Sequence, residues 1–169
     1  MFLKAFVTFF GVGLMRPAPG TWGSVAGWIV AIFVLIYLSP TTLFLASILL
    51  ALVGISAVDK YEKLTNTHDS SHIVIDEVAG VWLALSVASQ SLIMAIFALV
   101  IFRMLDISKP SVIGMIDKKV SGGLGVMGDD VVAGFIAGIF ASALYFALIK
   151  LGVDMQSFDI AIKDMALNL

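Results

Sequence analysis

Two pairs of adjacent carboxylates interrupt an otherwise apolar chain. The first is Asp76-Glu77, in "HIVIDEVAGVW" (72–82). The second is Asp129-Asp130, in "SGGLGVMGDDVVAG" (121–134). Each pair lies at the start of an apolar run, and Asp69 precedes the first pair in a polar segment. A carboxylate at bilayer depth costs roughly 2.5–3.5 kcal/mol by insertion scales, so acids persist there when paired or bound to a cation. Carboxylates are hard oxygen donors and suit Mg2+, which favours octahedral oxygen coordination. Asp69, Asp76, Glu77, Asp129 and Asp130 are therefore candidate metal ligands. Softer metals fit poorly, because there is no Cys and the only histidines are His68 and His72. The plainer alternative is helix capping, since an acid near a helix N-terminus gains about 0.3–1 kcal/mol from the dipole. Two pairs and Asp69 converging on one face favour the metal.

Basic groups accompany the acids. "FRMLDISKP" (102–110) spaces Arg103, Asp106 and Lys109 three apart, one face of a helix that Pro110 should end. A salt-bridge ladder is one reading. Beside metal-binding acids, Arg103 and Lys109 also make a phosphate clamp, with Asp106 supporting them. "RPAPGTWGSVAG" (16–27) offers a second anion device, with Thr21 as N-cap, Ser24 three residues on, and free backbone N–H groups at a helix start. "SGGLGVMGDD" lacks the G-K-[ST] ending of a Walker loop. Its glycines suit close backbone approach.

These residues need helices to hold them. The chain has 169 residues, 60% hydrophobic and 13% charged, with a mean hydropathy of +1.08. A soluble domain carries about 25% charged residues, so much of this surface need not meet water. The length suits a single membrane-embedded domain over 1–169. A net charge of −2 gives no sign of a nucleic-acid partner, and the lack of Cys excludes disulfides and thiolate chemistry. "MFLKAFVTFFGVGLM" has no A-x-A-like cleavage site, so it reads as a short interfacial segment rather than a signal peptide.

The expected fold is all-α, a polytopic membrane bundle of about five helices: two hairpins plus one. Runs 21–38 and 43–58 form the first hairpin about "SPTT" (39–42), and the polar stretch 59–72 should be exposed. Apolar residues 78–105 could be one tilted span or two helices, about 74–88 and 92–108, turning at "SQS" (89–91). The hairpin is preferred, because it puts the acids at 76–77 and the polar stretch 106–130 on the same side. Run 131–151 is the last span, and 152–169 could lie along the interface as an amphipathic helix. Lys4, Arg16, Lys60, Lys63, Arg103, Lys109, Lys118 and Lys119 then share a side, with Lys150 and Lys163 near the other. The positive-inside rule puts the polar loops in the cytoplasm. Gly23/Gly27 and Gly134/Gly138 suit close helix crossings, although glycine is common in membrane helices anyway.

Three long motifs, "GVGLMRPAPGTWGSVAG" (11–27), "HDSSHIVIDEVAGVW" (68–82) and "FRMLDISKPSVIGMIDKKVSGGLGVMGDDVVAG" (102–134), together resemble the phosphatidylglycerophosphatase A family of bacterial inner-membrane enzymes. The chain departs from that pattern at Leu105, Ser111 and Gly128, positions that touch packing more than chemistry. The resemblance implies a multi-pass, Mg2+-dependent phosphatase facing the cytoplasm. Its substrate would be the membrane lipid phosphatidylglycerophosphate, its products phosphatidylglycerol and inorganic phosphate. It also implies that Asp69, Asp76, Glu77, Asp129 and Asp130 form the catalytic acidic centre. Water activated by the cation would attack in line, with one carboxylate as base and Arg103 and Lys109 on the phosphoryl oxygens. A covalent aspartyl-phosphate route stays open. His68 could protonate the leaving oxygen, whereas His72 reads as an exposed loop residue. The alternative from another class is a cation or proton transporter, which also uses intramembrane acids. Such a site more often lies at the membrane midplane, and these acids crowd one face.

Overall fold

The computed structural model describes residues 2–67, 70–88 and 91–155. Among the described residues there are seven α-helices and no strand. They are α1 (Phe2–Val7), α2 (Pro19–Tyr37), α3 (Pro40–Thr65), α4 (Ile75–Val87), α5 (Leu92–Ser108), α6 (Ser111–Lys119) and α7 (Gly123–Lys150). A short 3-10 turn, Val12–Leu14, joins α1 to α2.

Local chemistry sets most of these boundaries. Pro19 and Pro40 open α2 and α3, where a fixed φ suits the helix and a missing N–H costs nothing. Ser39 Oγ accepts from the Thr42 N–H at 3.1 Å, and Ser91 Oγ accepts from the Met94 N–H at 3.1 Å. Both are N-caps. Pro110 forces the chain out of helix after α5, with Lys109 left-handed at φ 43. The apolar run 78–105 is thus divided as expected, into α4 and α5. Within the expected turn at 89–91, Ser89 and Gln90 lie outside the described residues.

α4 is the centre of the bundle. It packs against α2, α3, α5 and α7, and nine of its 13 residues are buried. A helix covered on all sides does not need to match the bilayer by itself, which accounts for its short length. By contrast α2, α3 and α7 have 19, 26 and 28 residues and are apolar enough to cross a membrane. They present large apolar side chains outward, among them Phe33, Leu49 and Phe140. Three of the five expected spans therefore meet the length requirement alone, and the shorter α4 and α5 complete the bundle.

Glycines allow the close crossings. A Cβ on Gly134 would run into the Gly80 carbonyl oxygen, and one on Gly80 would meet the Asp130 carbonyl oxygen at 2.6 Å. α4 and α7 therefore cross backbone to backbone just where α7 carries its acids. Gly23 and Gly27 lie against Val74 and Val78, so both expected glycine pairs sit at crossings. Trp82 Nε1 donates to the Gly27 carbonyl at 2.9 Å, and Ser47 Oγ to the Ala79 carbonyl at 2.9 Å.

Three expectations need correction. α3 does not stop near residue 58 but continues through Thr65, so the first part of the polar stretch is helical. Tyr61 is buried there rather than exposed. The stretch 106–130 is not simply polar loop, since it contains α6 and the first two turns of α7, which begins at Gly123 rather than at the expected 131. Of the tail, residues 156–169 lie outside the described residues.

Replacing Gly134 with Leu should force α7 away from α4 and cost about 1–3 kcal/mol of overpacking strain. Thermal unfolding in detergent should show a clear fall in Tm, and Phe33→Leu on the outward face of α2 should leave it nearly unchanged.

Candidate active site

At one end of the bundle the starts of α2, α4 and α7 meet the end of α5. A cavity of about 330 Å3 opens between them. Asp76 and Glu77 come from the first turn of α4. Asp129 and Asp130 come from the second turn of α7, and both are almost fully buried. The two acidic pairs, distant in sequence, thus converge.

Their division is uneven. Asp76, Glu77 and Asp130 each offer a carboxylate oxygen, all within 4.8 Å of one another. Asp76 Oδ1 accepts from the Glu77 N–H at 3.0 Å, while Glu77 Oε2 is buried without a hydrogen-bond partner. Asp129 turns elsewhere. Its Oδ1 accepts from the Asp130 N–H at 3.0 Å, and its Oδ2 accepts from Lys109 Nζ at 2.8 Å. Successive side chains on a helix point about 100° apart, so neighbouring acids readily take different partners.

Arg103 is held on three sides. Its guanidinium pairs with Asp106 one turn on. Nη1 also donates to Ser24 Oγ at 3.2 Å, and Nη2 to Thr21 Oγ1 at 3.4 Å. Glu77 Oε1 stands 3.9 Å away, and the buried Nε has no partner. Arg103 and Asp106 form the expected i,i+3 pair, but Lys109 does not extend that ladder. The helix ends before it, and its left-handed backbone swings the ammonium to Asp117 on α6 and to Asp129. Thr21 is not the N-cap. α2 begins at Pro19, with Ala18 in the capping position, because proline is preorganised for the first helical site. The Thr21 hydroxyl serves Arg103 instead. Ser24 Oγ donates to the Gly20 carbonyl at 2.8 Å while it accepts from Arg103.

His68 and Asp69 lie outside the described residues. His72 is half-buried rather than exposed, and its Nδ1 meets the Gly13 carbonyl at 3.1 Å. It fastens the N-terminal turn to the loop before α4, as does the Val74 N–H bonded to the Val7 carbonyl at 3.0 Å.

Two structural partners were not foreseen. Asp117 supplies the second anchor of Lys109. Asp59, on α3, accepts from the Gly123 N–H at 2.6 Å and so caps α7 from a different helix. The sequence carries half of that signal: "SGG" before α7 offers no good side-chain cap, so an acceptor must come from elsewhere. Which residue supplies it cannot be read from spacing.

The donor set fits a hard divalent cation. Three carboxylates converge, one buried oxygen is unpartnered, and no softer ligand stands among the described residues nearby. Six carboxylates but only Arg103 and Lys109 line the cavity. Such a lining repels a phosphate unless positive charge accompanies it.

This geometry can now be set beside known proteins. Residues 5–145 match the family model for phosphatidylglycerophosphatase A. The chain belongs to that family. It is 39% identical over 140 residues to phosphatidylglycerophosphatase A of Haemophilus influenzae, covering 81% of this chain and 85% of that one. It is 36% identical over 139 residues to the Escherichia coli protein of the same name, covering 81% and 78%. A Bacteroides thetaiotaomicron protein, named provisionally as a phosphatidylinositol-3-phosphatase, is 37% identical over 137 residues, covering 75% and 83%. No solved structure gives a significant match. Family membership gives the chain a phosphatase role, and the outward apolar helices agree with a membrane protein.

Burial opposes the charge on Lys109, but pairing with Asp117 and Asp129 outweighs it and raises the pKa above the ordinary 10.5. A raised folded value means that this contribution to stability is complete below 10.5 and is lost only as pH climbs through the folded value. Lys109→Met leaves the buried Asp129 unpaired and should cost about 1–3 kcal/mol. Urea or thermal unfolding at pH 7 should read that loss. Lys109→Met/Asp129→Leu should recover much of it.

Proposed function

We propose that this chain removes the terminal phosphate of phosphatidylglycerophosphate, with Mg2+ bound, at the cytoplasmic face of a bacterial inner membrane. The observation that carries the reading is the Asp76–Glu77–Asp130 cluster beside Arg103 at one end of a lipid-facing bundle. The substrate named for the Haemophilus influenzae and Escherichia coli relatives supports the choice of lipid. The position of the acids at helix ends, rather than midway along them, favours hydrolysis over cation transport.

Asp76, Glu77 and Asp130 would hold the cation, with Asp129 and Asp69 as further candidates. Bound there, Mg2+ would neutralise phosphoryl charge and make water more acidic. The rest follows from the side chains. Arg103, fixed by Asp106, Ser24 and Thr21, presents a preorganised donor fork to the phosphoryl oxygens. Its orientation is set before substrate arrives, so little reorganisation accompanies the reaction. Gly20 and Thr21, in the first turn of α2, line the same cavity, and a helix start of this kind favours an anion. Lys109 keeps its charge through neutral pH and holds Asp129 in a fixed place.

A carboxylate of the cluster takes a proton from water as the water oxygen bonds to phosphorus. The bond from phosphorus to the glycerol oxygen breaks in line. That oxygen leaves with the lipid and gains a proton, for which the sequence offers His68 as a candidate donor. The products are the lipid alcohol and inorganic phosphate, and the atoms balance with one water consumed.

The test is phosphate release from the purified protein in detergent. Chelation should abolish turnover and Mg2+ should restore it. Asp76→Asn and Asp130→Asn should each abolish release while circular dichroism stays helical. Arg103→Ala should lower kcat by roughly 10²–10³-fold. Full activity in both Asn variants would dismiss the metal centre.

A further inference from the structure

A second cavity, of about 600 Å3, lies between α2 and α5. Its walls are chiefly apolar: Val25 from α2, and Leu99, Val100 and Met104 from α5. Two polar residues at its edge, Thr21 and Arg103, also line the catalytic cavity. We propose that this groove seats the headgroup-proximal part of one acyl chain of the lipid substrate, which enters the catalytic cavity sideways between α2 and α5. The proposal rests on the lipid-phosphatase reading above.

The groove exists because of how the helices pack. α2 packs mainly on α4, and α5 packs mainly on α7, so α2 and α5 touch each other little. Toward the other end of the bundle the gap closes. Trp28 Nε1 donates to the Ala95 carbonyl at 3.0 Å, one turn beyond Val25 and one turn before Leu99. At its near end the groove runs into the polar cavity past Thr21 and Arg103. Ser108, also on the groove, spends its hydroxyl on the Met104 carbonyl at 2.5 Å. What remains is an apolar slot ending at a guanidinium.

An occupant must match both parts. It needs an anionic end for the cavity and an apolar end for the slot, joined at the Thr21–Arg103 border. A phospholipid with a terminal phosphate has that order of parts. A wholly apolar helix of another protein would leave the polar mouth unmatched. From Ala95 to Arg103 is eight residues, about 12 Å along a helix, so the slot takes part of a chain and the rest stays among bilayer lipids.

The groove should act on position more than on affinity. Lipid tails are as apolar as Leu, so moving an acyl chain from bilayer to slot gains little hydrophobic free energy. Its effect is to fix the glycerol backbone at the border so that the phosphate reaches Arg103 and the acids in a productive pose. Filling the slot should therefore harm a lipid substrate and spare one without chains.

Val25→Trp and Val100→Trp fill the groove without touching the acids. Each should lower kcat/KM for long-chain phosphatidylglycerophosphate by roughly tenfold. The deacylated headgroup, glycerophosphoglycerophosphate, should be cleaved as by the wild type. Leu49→Trp, on the outward face of α3, should alter neither. An equal fall on both substrates, or no fall on either, overturns the proposal. A second measurement does not depend on turnover, and it decides should the wild type cleave only one substrate or neither. A phosphatidic acid with a diazirine in one acyl chain is photolysed with the protein in nanodiscs, and the adducts are mapped by mass spectrometry. Adducts should concentrate on residues 21–28 and 99–107 and fade in Val25→Trp. Adducts spread evenly over α2, α3 and α7 would mean ordinary bilayer lipid. Adduct-free groove residues shielded by a second copy of the chain would mean a dimer contact. Either result overturns the groove, whereas inactivity of the wild type on both substrates overturns only the phosphatase reading.

Discussion

Mutual repulsion among Asp76, Glu77 and Asp130 is the constraint that the rest of the structure has to accommodate. Two like charges about 5 Å apart repel by roughly 3 kcal/mol at an effective dielectric of 20. Three such groups come together here, with Asp106, Asp117 and Asp129 around the same cavity. The fold offers partial relief. Asp76 and Glu77 stand in the first turn of α4, where the helix dipole favours negative charge. Arg103 approaches Glu77 from α5 and Lys109 takes Asp129. What these leave uncompensated is negative charge that a bound cation would neutralise. A protein that only needed to stay folded would gain by losing these acids. Their presence at a helix crossing makes sense as a function held at some expense of stability.

The bundle is built so that this charge can be assembled. The backbones of α4 and α7 approach where neither Gly80 nor Gly134 carries a Cβ, and that contact brings Asp130 to the acids on α4. Asp59 reaches from α3 to the first N–H of α7, fixing the end of the helix that carries the second pair. The Arg103 network then ties α5 to α2 through Ser24 and Thr21. Four helices are joined at their site ends by polar contacts and along their lengths by small residues. The apolar exteriors of α2, α3 and α7 can face lipid while the chemistry stays at one end.

Much of this was legible in sequence, for physical reasons. Prolines 19, 40 and 110 and the caps at Ser39 and Ser91 act locally, so they mark boundaries without knowledge of the fold. The first acidic pair could be seen to lie at a helix start and the glycine pairs at crossings, whereas α7 begins six residues before Asp129, ahead of the apolar run. What could not be read were partnerships between elements. The Thr21 hydroxyl looked like a cap, yet its role depends on Arg103, far along the chain. Lys109 fits a helical ladder by spacing, but Pro110 ends the helix one residue too soon for that. Tyr61 lies in a polar stretch and is buried because α3 runs on past it. Spacing reports which residues share an element. It does not report which elements come to share a residue.

The two acidic pairs also show that adjacency is not a unit of function. On both helices the neighbours diverge by about 100°, so the two members of a pair need not meet the same partners. In the first pair both members join Asp130, and one Glu77 oxygen stays buried without a partner. In the second pair the members separate: Asp130 joins the cluster and Asp129 is drawn to Lys109. Four acids thus divide into three that gather and one that is anchored. The anchored one links α7 through Lys109 to Asp117 on α6. Through Lys109 the fourth acid thus ties α7 to α6 beside the cluster.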